Sequence, residues 1–202
     1  NYLANKDLKP PFVSLVVSGG HTYLVKVKGY TDYEIVGKTR DDAAGESFDK
    51  VARKMGLGYP GGPKIDKIAK KGNKEAVVFP RVMLEKDSYD FSFSGLKTAV
   101  INYMHQLEQK DEELNKADIA ASFEEAVVDV LVEKSMRLIG ETDYNKLAVS
   151  GGVAANSRLK ERLEVACKEK DIKFYYPSLE LCTDNAAMIA MTGYLDYKSG
   201  QR

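Results

Sequence analysis

Six stretches of this sequence pair chemically useful side chains with a backbone that can approach a ligand closely. Leu15-Val16-Val17-Ser18-Gly19-Gly20 and Leu147-Ala148-Val149-Ser150-Gly151-Gly152 repeat one design, an apolar run entering Ser-Gly-Gly. Such a run reads as a buried strand, and the glycines after it leave backbone N–H groups uncovered for an anion such as phosphate. In Ser150-Gly151-Gly152-Val153-Ala154-Ala155-Asn156 the turn leads into a helix start. A helix N-terminus favours negative charge, and the Asn156 amide can bond a base edge or a phosphate. An ordinary glycine turn is the plain alternative for each segment taken alone.

Carboxylates form a second group. Asp42, Glu46 and Asp49 are spaced by four and three, so one continuous helix would put them on one side, able to hold a metal or ribose hydroxyls. Acids at a helix start usually complement its dipole, but Asp49 lies too deep for that role. Tyr59-Pro60-Gly61-Gly62-Pro63 fixes a rigid path on which Gly62 permits close approach, and Asp66 follows on the first helical turn. Phe91-Ser92-Phe93-Ser94-Gly95-Leu96-Lys97-Thr98 sets core aromatics beside hydroxyls and a lysine that meets either phosphate or solvent. Thr183 or Asp184 is read as the cap of a last helix.

The elements that would carry these groups follow from periodicity. Strands are predicted at 12–17, 21–28, 33–38, 146–149 and 173–175, with a short one near 76–79 in an otherwise irregular 72–93. Helices are predicted at 46–55, 63–71, 96–108, 117–139, 154–168 and from about 184 to 197. Pro63 is read as opening its helix. The order is three strands, a run of helices, then βαβα, an α/β fold on a mixed sheet.

Composition bounds the rest. The chain has 202 residues, 44% hydrophobic and 30% charged, with net charge zero. It can bury a substantial core, and no apolar run is long enough for a membrane span. Residues 1–74 carry +6 and the remainder −6, with Lys64, Lys67, Lys70, Lys71 and Lys74 as the densest basic run. That run is a solvated face or part of a phosphate-backbone footprint. Two cysteines and two histidines exclude a disulfide framework and a zinc cluster of ordinary spacing, and fit a reducing cytoplasm.

In this order the motifs resemble one family closely, the universal tRNA N6-adenosine threonylcarbamoyltransferases, long mislabelled as O-sialoglycoprotein endopeptidases. The match rests on Val17-Ser18-Gly19-Gly20-His21-Thr22, Gly45-Glu46-Ser47-Phe48-Asp49-Lys50 and Tyr59-Pro60-Gly61-Gly62-Pro63. It continues through Phe91 to Thr98, Ser150 to Asn156 and Cys182-Thr183-Asp184-Asn185-Ala186. The resemblance implies one lobe of the actin, Hsp70 and sugar-kinase architecture, a ribonuclease H-like α/β lobe. It implies that Val16, Val17, Ser18, Gly19 and Gly20 meet the phosphate and acyl end of threonylcarbamoyl-AMP. Asp49, Gly62 and Asp66 are implied on the ribose side, Asn156 as a further nucleotide contact, and Asp184 as a ligand of one divalent metal, iron or zinc.

The family's Gly-rich first strand and His-x-x-x-His motif have no counterpart here. We therefore expect a single C-terminal lobe of a two-lobed enzyme, without the N-terminal lobe and the extreme C-terminal tail. The implied activity is transfer of threonylcarbamoyl to N6 of adenosine 37 in tRNAs reading codons that start with A. The implied partners are tRNA and accessory proteins, including a paralogous subunit, in the cytoplasm. An ATP-dependent phosphotransferase or ATPase of the same fold, or a non-catalytic nucleotide-binding module, is the alternative. The peptidase label finds no His-Glu-x-x-His motif or nucleophile triad.

Overall fold

The structure is a computed structural model and describes residues 1–82, 87–113 and 115–200. Its centre is β1 (Phe12–Val17), whose near-continuous apolar sequence suits a strand flanked on both edges. β2 (Thr22–Val27) returns antiparallel from it, and β3 (Tyr33–Lys38) follows at the exposed edge. On the other edge of β1 lies β4 (Lys146–Ser150), parallel to it, and then β5 (Lys173–Tyr175), parallel to β4. The sheet order is therefore β3-β2-β1-β4-β5. This is the mixed α/β sheet read from the sequence.

Alternation along β1 sorts its side chains onto two faces. Val13, Leu15 and Val17 enter the main core, against α1 (Ala44–Lys54), α2 (Gly61–Ala69), α3 (Ser94–Gln109) and α4 (Lys116–Gly140). α4 is apolar on nearly all sides, as a helix inside a core must be. Phe48 of α1 meets Phe123 of α4 edge to face, with ring centroids 5.1 Å apart. α5 (Ser157–Glu169) completes this layer. On the opposite face Phe12 joins Leu8, Ala148 and Tyr175 in a small second cluster. The last helix, α6 (Ala186–Lys198), contains no buried residue. No helix among the described residues is long and apolar enough to cross a membrane.

Several expectations need correction. The helix expected from Ala154 begins only at Ser157, because a short 3-10 turn at Gly152–Ala155 intervenes and Asn156 becomes the N-cap. α2 starts at Gly61, with Pro63 in its first turn rather than opening it. Neither Thr183 nor Asp184 caps α6; the Asn185 side chain does, accepting from the Met188 N–H at 3.1 Å. No strand forms at 76–79, where the Val77 N–H instead donates to Ser122 Oγ at 3.1 Å. The irregular stretch expected over 72–93 includes 83–86, which lie outside the described residues. Both cysteines are free and buried.

Candidate nucleotide site

The parallel pairing of β1 with β4 sets Val16 opposite Ser150. The two Ser-Gly-Gly turns thus leave the carboxyl ends of adjacent parallel strands, side by side. In open α/β sheets ligands bind outside such ends, where the strand order reverses, as it does here between β1 and β4. The turns touch as closely as backbones can. Gly151 has φ of +95°, and a Cβ there would stand 2.3 Å from the Val17 carbonyl oxygen. Only glycine permits both the conformation and the contact.

Side chains and carbonyls from elsewhere in the chain hold the helix N-termini around this seam. Thr22 Oγ1 on β2 accepts from the Ala44 N–H at 3.0 Å, and the Ser18 carbonyl accepts from the Gly45 N–H at 3.1 Å. α1 therefore starts against the first turn. Asp49 of α1 accepts from the Gly61 N–H at 2.7 Å and so anchors α2. Asp66 of α2 accepts from the Ser157 N–H at 3.0 Å and from its hydroxyl, anchoring α5. Asp41 does the same for α3, taking the Phe93 N–H at 2.9 Å and both serine hydroxyls of Ser92 and Ser94. Burial pushes the Asp41 carboxyl up, but these hydrogen bonds outweigh it and hold it below the usual range.

The residues implied as substrate contacts fall as follows. Ser18 is half-buried, and its Oγ accepts from the His21 N–H at 3.1 Å and weakly from that of Gly20 at 3.4 Å. Two of the backbone donors in the first turn thus point inward. Gly19 and Gly20 are exposed, and the space a side chain would fill at either, or at Gly62, is open. Val17 is fully buried in the main core. Val16 faces the other side of the sheet, lining with Ser150, Tyr23 and Met188 a cleft of about 570 Å³. Asp49 and Asp66 are partly buried beside the seam, and Asn156 is buried.

The carboxylates spaced as one helical side separate. Asp42 precedes α1, and it shares Lys50 with Glu46, at 2.7 and 2.8 Å. Lys97 also pairs with Asp42, at 2.8 Å, so neither solvent nor phosphate is its partner here. Of the basic run, Lys70 pairs with Asp66 at 3.1 Å, Lys74 lies 3.8 Å from Glu125, and Lys64 donates to the Leu57 carbonyl.

Asp184 is exposed in the loop before α6. Among the described residues no three His, Cys, Asp or Glu side chains are grouped to hold a metal. One monodentate or bidentate carboxylate does not make a specific site, so the residues of this chain do not by themselves fit the implied iron or zinc.

Sequence reading missed Glu124. It lies on α4 with 5% of its surface exposed. Asn156 Nδ2 donates to its Oε1 at 2.6 Å, while Asn156 Oδ1 accepts from the Leu159 N–H at 2.8 Å. Burial lifts the Glu124 carboxyl from 4.5 to about 7; the Asn156 bond opposes this and the neighbouring Asp66 adds to it. Next to it Glu125 binds Arg158, Arg162 and Lys74. The available signal was the polar pair Glu124-Glu125 within the mainly apolar stretch Ile119–Val128 of this helix. A cleft of about 460 Å³ opens here, floored by Ala69 and Ala121 and walled by Lys70, Glu124, Ser157 and Arg158.

A mixed 3-2-1-4-5 sheet with paired glycine turns at one end defines a lobe of the actin-like, sugar-kinase type of ATPase fold. Solved structures of that type superpose on it. Full-length HypF in the phosphate- and nucleotide-bound form matches with a TM-score of 0.70 and 15% identity, over 96% of this chain and 34% of HypF. The activator of 2-hydroxyisocaproyl-CoA dehydratase from Clostridium difficile, with bound ADPNP, matches at 0.55 and 13% identity, over 97% of this chain and 65% of that one.

The chain belongs to the TsaD family, tRNA N6-adenosine threonylcarbamoyltransferase, whose sequence profile matches residues 1–191. Its relatives of that name include the Clostridium botulinum (strain Hall) protein, 57% identical over 202 residues, and the Clostridioides difficile (strain 630) protein, 57% identical over 201. The alignments cover all of this chain and 59% and 60% of those relatives. The chain thus spans about three-fifths of the length of the curated relatives it matches.

Proposed function

We propose that this chain is the lobe that holds the adenylate donor in a tRNA N6-adenosine threonylcarbamoyltransferase. The observation that carries the reading is the β1–β4 register, which sets the two glycine turns side by side at the carboxyl ends of parallel strands. In support, Asp66 binds Ser157 just past the second turn, and Asp49 binds the start of α2, which carries Gly62. The donor is threonylcarbamoyl-AMP. The N6 amine of the tRNA adenosine attacks its carbamoyl carbon, a C–N bond forms, and the bond from that carbon to the phosphate oxygen breaks. AMP departs with the electron pair, and the N6 proton passes to solvent.

Adenine N6 is a weak nucleophile, so placement of the donor is the main contribution asked of these residues. The open turn at Gly19 and Gly20 admits the phosphate and acyl end, and Gly62 with Asp66 admits the ribose. His21, exposed at the tip of the same turn, packs its ring at a tilt on Tyr23, with centroids 5.3 Å apart. A family metal, with Asp184 as one ligand, would need further donors from outside this lobe. Accessory proteins, a paralogous subunit among them, and the tRNA complete the assembly in this reading.

Binding of a non-hydrolysable threonylcarbamoyl-adenylate analogue to the full-length transferase tests it. Gly62→Val, which fills open space at the surface, should leave the fold intact and weaken binding at least about tenfold. Unchanged affinity would remove the α2 N-terminus from the site. Hydrolysis of ATP, or transfer of its phosphate to a small acceptor, in place of tRNA modification would point to the phosphotransferase reading.

A further inference from the structure

Resting on that reading, we propose that Glu124 is the positioning residue of the nucleotide site: from within α4 it fixes the amide of Asn156, and through it the start of α5. An asparagine amide offers an acceptor on one side and two donors on the other. Turned the wrong way, Asn156 would face the Leu159 N–H with its own NH2 and leave the α5 N-terminus uncapped. Glu124 Oε1, 2.6 Å away, accepts the Nδ2 hydrogen and admits only one orientation. Oδ1 then points to Leu159 N, at 2.8 Å. One Nδ2 hydrogen remains for a ligand beside Ser157, which Asp66 holds from α2.

The position is costly, which argues for its use. Glu124 sits in a largely buried helix with 5% of its own surface exposed, where a carboxyl group is stabilised only through its partners. It faces Asp66 and Lys70 of α2 and Arg158 of α5, and its own helix adds Glu125. Lys74 lines the same cleft. Glu125 is already committed to Arg158 and Arg162, so Glu124 has Asn156 as its one hydrogen-bond partner among the described side chains. Glutamine at this position would preserve the acceptor, and leucine would abolish it.

The test uses the full-length transferase with AMP as the probe, measured by calorimetry. Glu124→Gln should bind AMP within about threefold of the parent, and Glu124→Leu about tenfold more weakly. Asn156→Ala is the reference for the site itself. If Asn156→Ala weakens AMP but Glu124→Leu does not, the positioning role is wrong and the site stands. If Asn156→Ala changes nothing, the site reading fails and this inference with it.

A second readout holds even if the leucine variant does not fold. The side-chain amide resonance of Asn156 should move with one titration centred near pH 7 in the parent protein, as Glu124 gains its proton. It should not move so in Glu124→Gln. An Asn156 amide insensitive to pH in the parent would overturn the proposal.

Discussion

Two aspartates that the family resemblance assigns to a ligand also hold the protein together. Asp49 accepts the Gly61 N–H, so Asp49→Ala should do two things at once. Loss of a charge-assisted bond to a helix start should cost about 1–2 kcal/mol in chemical denaturation, and α2 should shift enough to weaken adenylate binding. Unchanged affinity in the folded variant would remove Asp49 from the site. Glu124 gives a signed pH effect. Its folded value of about 7 lies above the 4.5 of the free side chain. Its contribution to stability is therefore fully present below about pH 4.5 and is lost as pH rises through about 7. Above that the ionised, buried group costs up to about 3 kcal/mol. Glu124→Gln should raise stability by up to that amount at pH 8, with the gain vanishing near pH 4.5; denaturation curves at both pH values check it. At this scale the sequence was legible where residue type is decisive. Gly62, read on a rigid loop, lies in the first turn of α2 with Asp66 one turn on, whereas Glu124 was not singled out, since a polar pair in a helix does not say which of its members is buried.

At the scale of elements, periodicity located the five strands and six α-helices of the described residues to within a few residues, and added one strand, at 76–79, that does not form. The starts of α1 and α3 were less legible because the groups that satisfy them come from far along the chain. Nothing near Ala43 or Phe93 says that Thr22 and Asp41 satisfy the α1 and α3 starts. Asn156 shows a different limit: its cap is local, but residue type alone did not separate a ligand contact from the cap that delays α5 to Ser157. The parallel seam of β1 and β4 is equally non-local, joining residues more than 130 apart, and the repeat of Ser-Gly-Gly hinted at it without fixing the register. Gly151 is where the seam is most constrained. Gly151→Ala forces a side chain onto the Val17 carbonyl and holds alanine at a positive φ. It should destabilise by about 2–4 kcal/mol and displace the amide resonances of Val17 and Ser18; a variant as stable as the parent would contradict the contact.

The molecule as a whole is one well-filled layer of helices against a sheet whose second face is only partly covered. Tyr33 and Ile35 on β3, and Ile189 and Tyr197 on α6, are more than half exposed. The relatives are longer than this chain, and a family metal would need donors that its described residues do not group together. The 202-residue chain alone should therefore not modify tRNA in the presence of threonylcarbamoyl-AMP; turnover by it would mean that the reacting groups all lie in this lobe. The fold class was legible from element order, because three strands followed by alternating elements admit few topologies. The uneven covering of the sheet was not, since α6 is as apolar in sequence as the buried helices. The relay of caps has one more consequence. Asp49 ties α1 to α2 and Asp66 ties α2 to α5, so the first-turn amides of these helices cannot be released one helix at a time. In deuterium labelling of the native state, Gly61 and Ser157 should exchange together, through a single opening that also frees Ala44 and Gly45. α6 is secured by its own Asn185 and buries no side chain, so it should exchange first and independently.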